Sequence, residues 1–310
     1  QGRYGKETLE DLFGLAPGWF ADGTIAMDGD VNLLKGALMT CDAITAVSPT
    51  YAQELRYSFF AHGMESVIQR NAGKVYGVLN GIDMERYDPS KGAGIQNKFS
   101  VKSMAGKAKN KAYLQEQMSL EVNADVPIIG IVSRLVSHKG LDLICKVFDQ
   151  IMDLHCQFVV LGSGDWNYEQ FFEQKRGQYN GRMGLYRGYN EELANAIYAG
   201  ADILLMPSKS EPCGLAQMIA MRYGTVPIVR ETGGLKDTVH PYEAWCGAGN
   251  GFTFADYNSG DMLYVIRQAV ELYYDKPKEF ANLRKAGMTE DFSWGRSAEA
   301  YNEIYRKICS

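Results

Sequence analysis

Asp202-Ile-Leu-Leu-Met-Pro-Ser-Lys-Ser-Glu-Pro-Cys-Gly-Leu215 runs from an unbroken apolar segment into a polar turn that holds a single Glu. The residues that follow, Cys213 to Tyr223, read as a helix. A short apolar run bounded by turn chemistry is the pattern of a strand buried on both faces. A second such strand, Val226-Pro-Ile-Val229, delivers the chain to Thr232-Gly-Gly-Leu235 and another helix start. A third, Pro127-Ile-Ile-Gly-Ile-Val132, leads through Ser133-Arg-Leu-Val-Ser-His-Lys-Gly140 into a helix over Leu141 to Met152. Repeated strand-turn-helix units predict a parallel sheet whose turns share its carboxyl edge. There, free backbone N–H groups at helix starts receive nucleotides and their phosphates.

The side chains at that edge fit an anion. Arg134 and Lys139 place a guanidinium fork and a point charge in one loop, about the positive charge that a diphosphate needs. Glu211, beside Pro212 at a helix start, reads either as a partner of the helix dipole or as an acceptor for ligand hydroxyls. Cys213 has no His at an identifiable partner position, which argues against a nucleophile.

Strand-helix repeats continue through Phe158 and Leu185 to a last strand at Phe252–Phe254, which predicts an α/β domain with helices on both faces of its sheet. Upstream, a helical run (Val31–Thr40), a strand (Ala43–Val47), a helix from Pro49 and a strand (Val75–Leu79) resemble the last units of another such domain. Asn80-Gly81 forms a turn, and Asp88-Pro89 with Gly92 and Gly94 marks the crossing. The expected domains are 1–84, 85–290, and a terminal helix over 291–310 that Ser293 opens as N-cap.

Composition narrows the partners. The chain has 310 residues, 46% of them hydrophobic, and a net charge of −5, against the basic excess expected of a nucleic-acid or anionic-membrane binder. No apolar run approaches the roughly 18 residues of a membrane span. Six scattered cysteines without a C-x-x-C pair fit a reducing cytoplasm, and four histidines lack metal-ligand spacing. No metal and no cofactor are expected.

Several of these stretches are specific enough to carry a resemblance. Ser133-Arg-Leu-x-x-x-Lys-Gly-Leu-Asp142, Ser208-x-x-Glu-Pro-Cys-Gly-Leu215, Arg230-x-Thr-Gly-Gly-Leu-x-Asp-Thr-Val239 and Asp291-Phe-Ser-Trp294 resemble bacterial glycogen synthases and plant starch synthases. So do Asp42-Ala-Ile-Thr-Ala-Val-Ser-Pro-Thr-Tyr-Ala-x-Glu54 and Gly77-Val-Leu-Asn-Gly-Ile-Asp83, so the likeness covers nearly the whole chain. The resemblance implies a GT-B fold whose terminal helix, 291–310, crosses back to the first domain, and a retaining transfer of glucose from ADP-glucose to the non-reducing end of an α-1,4-glucan. It implies that Glu211 accepts hydrogen bonds from the donor glucose, while Arg134 and Lys139 stabilise the departing diphosphate in place of a metal. Cys213, Gly214, Leu215, Thr232, Gly233 and Gly234 would hold phosphates and sugar through backbone N–H groups. Tyr189 would stack on the base, and Asn80 would contact the glucose, although turn formation explains an Asn-Gly equally well.

Departures from the wider pattern are informative. Ile219 stands where other GT-B enzymes carry a second Glu, which bacterial glycogen synthases also lack. Ala216 replaces a Thr common among relatives. The only Gly-Gly-Leu is Gly233-Gly234-Leu235, so the family's early Lys-x-Gly-Gly-Leu loop is absent, as is its His-Asn pair. The expectation is the later part of a synthase, cytoplasmic (plastidic if from a plant), that binds ADP-glucose or ADP but does not elongate glucan alone. Two alternatives stay open: a nucleotide-sugar binding module without activity, and another retaining GT-B transferase using UDP-glucose. Oligomeric state is not legible.

Overall fold

A computed structural model describes residues 2–91 and 94–309; Gly92, assigned above to the crossing, lies outside the described residues. The chain divides into two compact units, one of residues 1–79 with 298–310 and one of residues 80–297.

In the first unit, strands β1 (Arg3–Tyr4), β2 (Ala26–Met27) and β3 (Asp30–Asn32) form an antiparallel sheet in the order β1-β3-β2. β4 (Ile44–Ala46) pairs in parallel with β5 (Val75–Gly77). The helical run expected from Val31 begins only at Leu33. Asn32 ends β3 and caps that helix, its side chain accepting the Lys35 N–H at 3.0 Å, so a polar stop signal overrides the apolar periodicity. Ser48 caps the next helix, Pro49–Glu54, in the same way, with Pro49 in its first turn.

The second unit holds β6 (Ile128–Val132), β7 (Gln157–Gly162), β8 (Met183–Arg187), β9 (Ile203–Met206), β10 (Val226–Arg230) and β11 (Phe252–Phe254). All neighbours are parallel, in the order β11-β10-β9-β6-β7-β8, the doubly wound arrangement. Side-chain alternation explains the layers. Ile129, Ile131, Phe158, Val160, Ile203, Leu205 and Ile228 share one buried cluster with helices 141–152 and 259–275. On the opposite face Gly130 lies against Ile197 and Ala201, and Val229 packs with Met221 and Leu235. Two covered faces account for the near-continuous apolar runs in the sequence.

One polar network sits at the start of β9. Asp202 Oδ2 accepts the Ile128 N–H at 3.0 Å and lies 2.9 Å from Lys111 Nζ, while Oδ1 pairs with Arg284. Burial disfavours the charged carboxylate, but Arg284 and Lys111 outweigh it and hold Asp202 below the usual range. Paired charges here fasten β6 to β9, the junction where the winding of the sheet reverses direction.

Candidate functional site

That junction is where open α/β sheets receive ligands, at the carboxyl ends of the strands. A cavity of about 170 Å³ opens there, with Ser133, Arg134, Lys139, Ser208, Glu211 and Gly214 in its wall. Two loops from β6 and β9 meet in it at backbone contact. Gly140 has φ +75°, and a Cβ there would lie 1.9 Å from the Pro207 carbonyl oxygen, so only glycine fits the turn and the approach together.

Lys139 Nζ donates to Glu211 Oε2 at 2.6 Å, and Ser208 Oγ donates to the same oxygen at 3.0 Å. Both side chains of the ion pair are largely buried. Oε1 of Glu211 has no hydrogen-bond partner among the described residues, so this carboxylate keeps a free acceptor at the cavity wall. His138 lies 3.5 Å from an Arg134 Nη. Burial, then the cations Lys139 and Arg134, lower its pKa below the ordinary histidine value and favour the neutral ring.

The β9 loop is fastened from behind. Gln217 Nε2, fully buried, donates to the Cys213 and Gly214 carbonyls at 3.1 and 2.9 Å and to Thr238 Oγ1 at 3.1 Å. The Thr232-Gly-Gly turn belongs to this fastening. Its N–H groups were expected to be free for phosphate. Instead Thr232 N–H donates to the Arg230 carbonyl at 2.9 Å, and Gly234 N–H donates to the Glu211 and Pro212 carbonyls at 3.1 and 3.2 Å. All three residues of the turn are buried, and none lines the cavity. A Cβ at Gly233 would lie 2.1 Å from the Glu211 oxygen, and one at Gly234 2.0 Å from the Cys213 oxygen. These glycines permit two backbones to touch. By contrast, the Gly214 and Leu215 N–H groups have no partner among the described residues, and both residues line the cavity.

The remaining expected residues are placed as follows. The Cys213 sulfur receives a backbone hydrogen bond from Asn80, which brings those two together. Burial pushes the Cys213 thiol up and Glu211 adds to the effect, the opposite of an activated nucleophile. Tyr189 follows β8, two strands from the junction, and is 85% exposed; it does not line the cavity. Ser208 and Arg230 carry no legible role in the sequence, although both stand inside motifs given above. The signal for each was a polar residue directly after a buried strand or at its end. Among the described residues no helix is long and apolar enough to cross a membrane.

Comparison with known proteins decides the family. The model of the glycosyl transferases group 1 family matches residues 115–287, more than half of the chain. The chain belongs to this family of glycosyl transferases. The starch synthase catalytic domain model matches residues 1–70. Glycogen synthase of Bacillus cereus is 46% identical over 308 residues, and that of Desulfitobacterium hafniense is 44% identical; each alignment covers 99% of this chain. The chain spans about 64% of the length of the curated relatives it matches. The catalytic domain of Starch Synthase IV from Arabidopsis thaliana, bound to ADP and acarbose, superposes with a TM-score of 0.91 at 34% identity. That alignment covers 99% of this chain and 64% of the other. Sucrose-phosphate synthase from Thermosynechococcus elongatus shares the fold, with a TM-score of 0.60 at 20% identity over 89% of this chain and 61% of the other. The group 1 transferase described here is thus of GT-B type, with a complete doubly wound sheet in its second unit.

Proposed function

We propose that the cavity between β6 and β9 is the donor site of an ADP-glucose-dependent glycogen or starch synthase. In this reading glucose passes to the non-reducing end of an α-1,4-glucan with retention at the anomeric carbon. The observation that carries it is the convergence of Arg134, Lys139 and the half-satisfied carboxylate of Glu211 on one cavity at the topological switch point.

Each group has a task in that reaction. The diphosphate enters against Arg134 and Lys139, whose charges stabilise the leaving group as it departs, with no metal required. The Gly214 and Leu215 N–H groups supply further donors to the phosphates. Glu211 Oε1 accepts from hydroxyls of the glucose. Tyr189 stacks on the adenine, and Asn80, joined to Cys213, borders the sugar. Thr232, Gly233 and Gly234 act by holding the Glu211 loop in place. The 46% identity to glycogen synthases and the likeness to a starch synthase bound to ADP support ADP over UDP. A cytoplasmic location is part of this proposal.

Titration calorimetry of the chain with ADP, ADP-glucose and UDP tests it. Binding of the adenine nucleotides with weaker binding of UDP is the expected result. A preference for UDP would favour a UDP-glucose transferase, and no binding of any of the three would remove the donor site from this cavity.

A further inference from the structure

Arg230, the last residue of β10, is bonded on every side by groups of the carboxyl edge. Its Nε donates to the Ser208 carbonyl at 2.9 Å, Nη2 to the Lys209 carbonyl at 2.6 Å and Nη1 to the Ala255 carbonyl at 3.2 Å. Its guanidinium carbon lies 5.8 Å from the centre of the Tyr257 ring, and Lys209 Nζ lies 4.9 Å from the same centre. Tyr257 in turn donates its hydroxyl to Asp142, in the first turn of the helix that follows the Lys139 loop. Lys209 N–H donates to the His138 carbonyl at 2.9 Å. The guanidinium therefore ties the loops after β9 and β11 to the end of β10, and the Lys209 N–H carries the tie on to the loop after β6.

We propose that Arg230 is a positioning residue: seated on Tyr257, it fixes the backbone of Ser208 and Lys209 and so fixes Glu211 against Lys139. Ser208 is buried, so its carbonyl has no water to replace the guanidinium. The same residue's hydroxyl bonds Glu211, and the next residue bonds the loop that carries Lys139. A shift of the Ser208–Lys209 backbone moves both ends of the ion pair. Three carbonyls lie around one planar fork, a geometry an ammonium group cannot reproduce. The link to function rests on reading the cavity as the donor site; the clamp itself does not.

Arg230→Lys, Arg230→Ala and Tyr257→Phe test the clamp against the wild-type chain by hydrogen exchange, thermal unfolding and ADP calorimetry. Arg230→Lys keeps the charge and loses the fork. It is expected to speed amide exchange across Ser208–Leu215 and to weaken ADP binding by between about 10- and 100-fold, the range for a displaced binding group. Its unfolding midpoint should stay close to wild type. Tyr257→Phe keeps the ring and should show a smaller change in the same amides. If Arg230→Lys matches wild type in exchange and affinity, the residue contributes only charge and the proposal is overturned. Should Arg230→Ala fail to fold, the two conservative variants still decide. If the wild-type chain does not bind ADP, the donor-site reading fails while the exchange measurements still decide the clamp.

Discussion

Lys139 Nζ stands 2.6 Å from Glu211 Oε2, joining loops that follow β6 and β9, strands far apart in sequence and adjacent in the sheet. Before any ligand enters, the cation is therefore held by a carboxylate. If the cavity takes a diphosphate as proposed, the phosphate must share or displace that partner, so its loading and the orientation of Glu211 become one event. This coupling generates opposite expectations for the two residues.

On the donor-site reading, replacing Lys139 or Arg134 with Ala removes a charge-assisted contact to phosphate. ADP affinity should fall by about 1.5–3 kcal/mol for either variant. Calorimetry showing unchanged affinity in both would take the cations out of the phosphate site.

Glu211→Gln keeps the shape and removes the charge. Lys139 loses its ionic partner, so ADP should bind at least as tightly as to the wild type. If the protein transfers glucose as proposed, that transfer should fall by about 100- to 1000-fold, as for loss of a group that stabilises the transition state. Incorporation of labelled glucose into glycogen at the parental rate would leave Glu211 as a partner of the helix dipole.

His138 reports on the same charges. Burial, Lys139 and Arg134 lower its folded pKa below 6.5, so the folded chain favours the neutral ring. The stability this contributes is present above the unfolded value and is lost as pH falls below it. Phosphates beside Lys139 would offset the two cations and raise the His138 pKa, so ADP should bind more tightly as pH falls through that window. Titration of the ring resonances with and without saturating ADP checks this, and an unmoved His138 curve would place the phosphates elsewhere.

Gly234→Ala drives a methyl group to 2.0 Å from the Cys213 oxygen, a backbone atom that cannot step aside. Destabilisation of about 1–3 kcal/mol is expected, with loss of ADP binding because the displaced loop carries the Gly214 and Leu215 N–H groups at the cavity wall. Gly177→Ala, in the helix Trp166–Gln178 with open space around it, is the control and should be about 0.5–1 kcal/mol more stable than wild type. Equal thermal midpoints in the two variants would refute the close-packed turn.

Tyr189 is 85% exposed, so Tyr189→Ala should leave the unfolding midpoint unchanged. If the ring stacks on the base, ADP affinity should drop by about 1–3 kcal/mol, and Tyr189→Phe should restore it. An Ala variant that binds ADP as well as wild type would show that the adenine lies elsewhere.

The elements, and the chemistry available at their ends, are legible in the order of residues. Buried parallel strands must be apolar on both faces, so Ile128–Val132, Ile203–Met206 and Val226–Arg230 announced themselves, as did Phe252–Phe254 and the helix from Leu141 to Met152. Strand-turn-helix repetition alone puts Arg134, Lys139 and Glu211 at one edge. Element ends were less legible where local rules compete: Asn32 cut short a helix that apolar spacing had begun at Val31.

Only tertiary packing settles which turns line the cavity and which face each other. Strand order is set by packing between residues distant in the chain. It places β6 beside β9, so Lys139 meets a carboxylate 72 positions away. It also buries Thr232-Gly233-Gly234 beneath the Glu211 loop, although as a sequence that turn is indistinguishable from a phosphate cradle. A glycine that permits close approach to a ligand and one that permits close approach to another backbone have the same local signature. Only the position of the opposing atoms tells them apart, and the role of Arg230 was hidden for the same reason: its partners are carbonyls, which every residue carries.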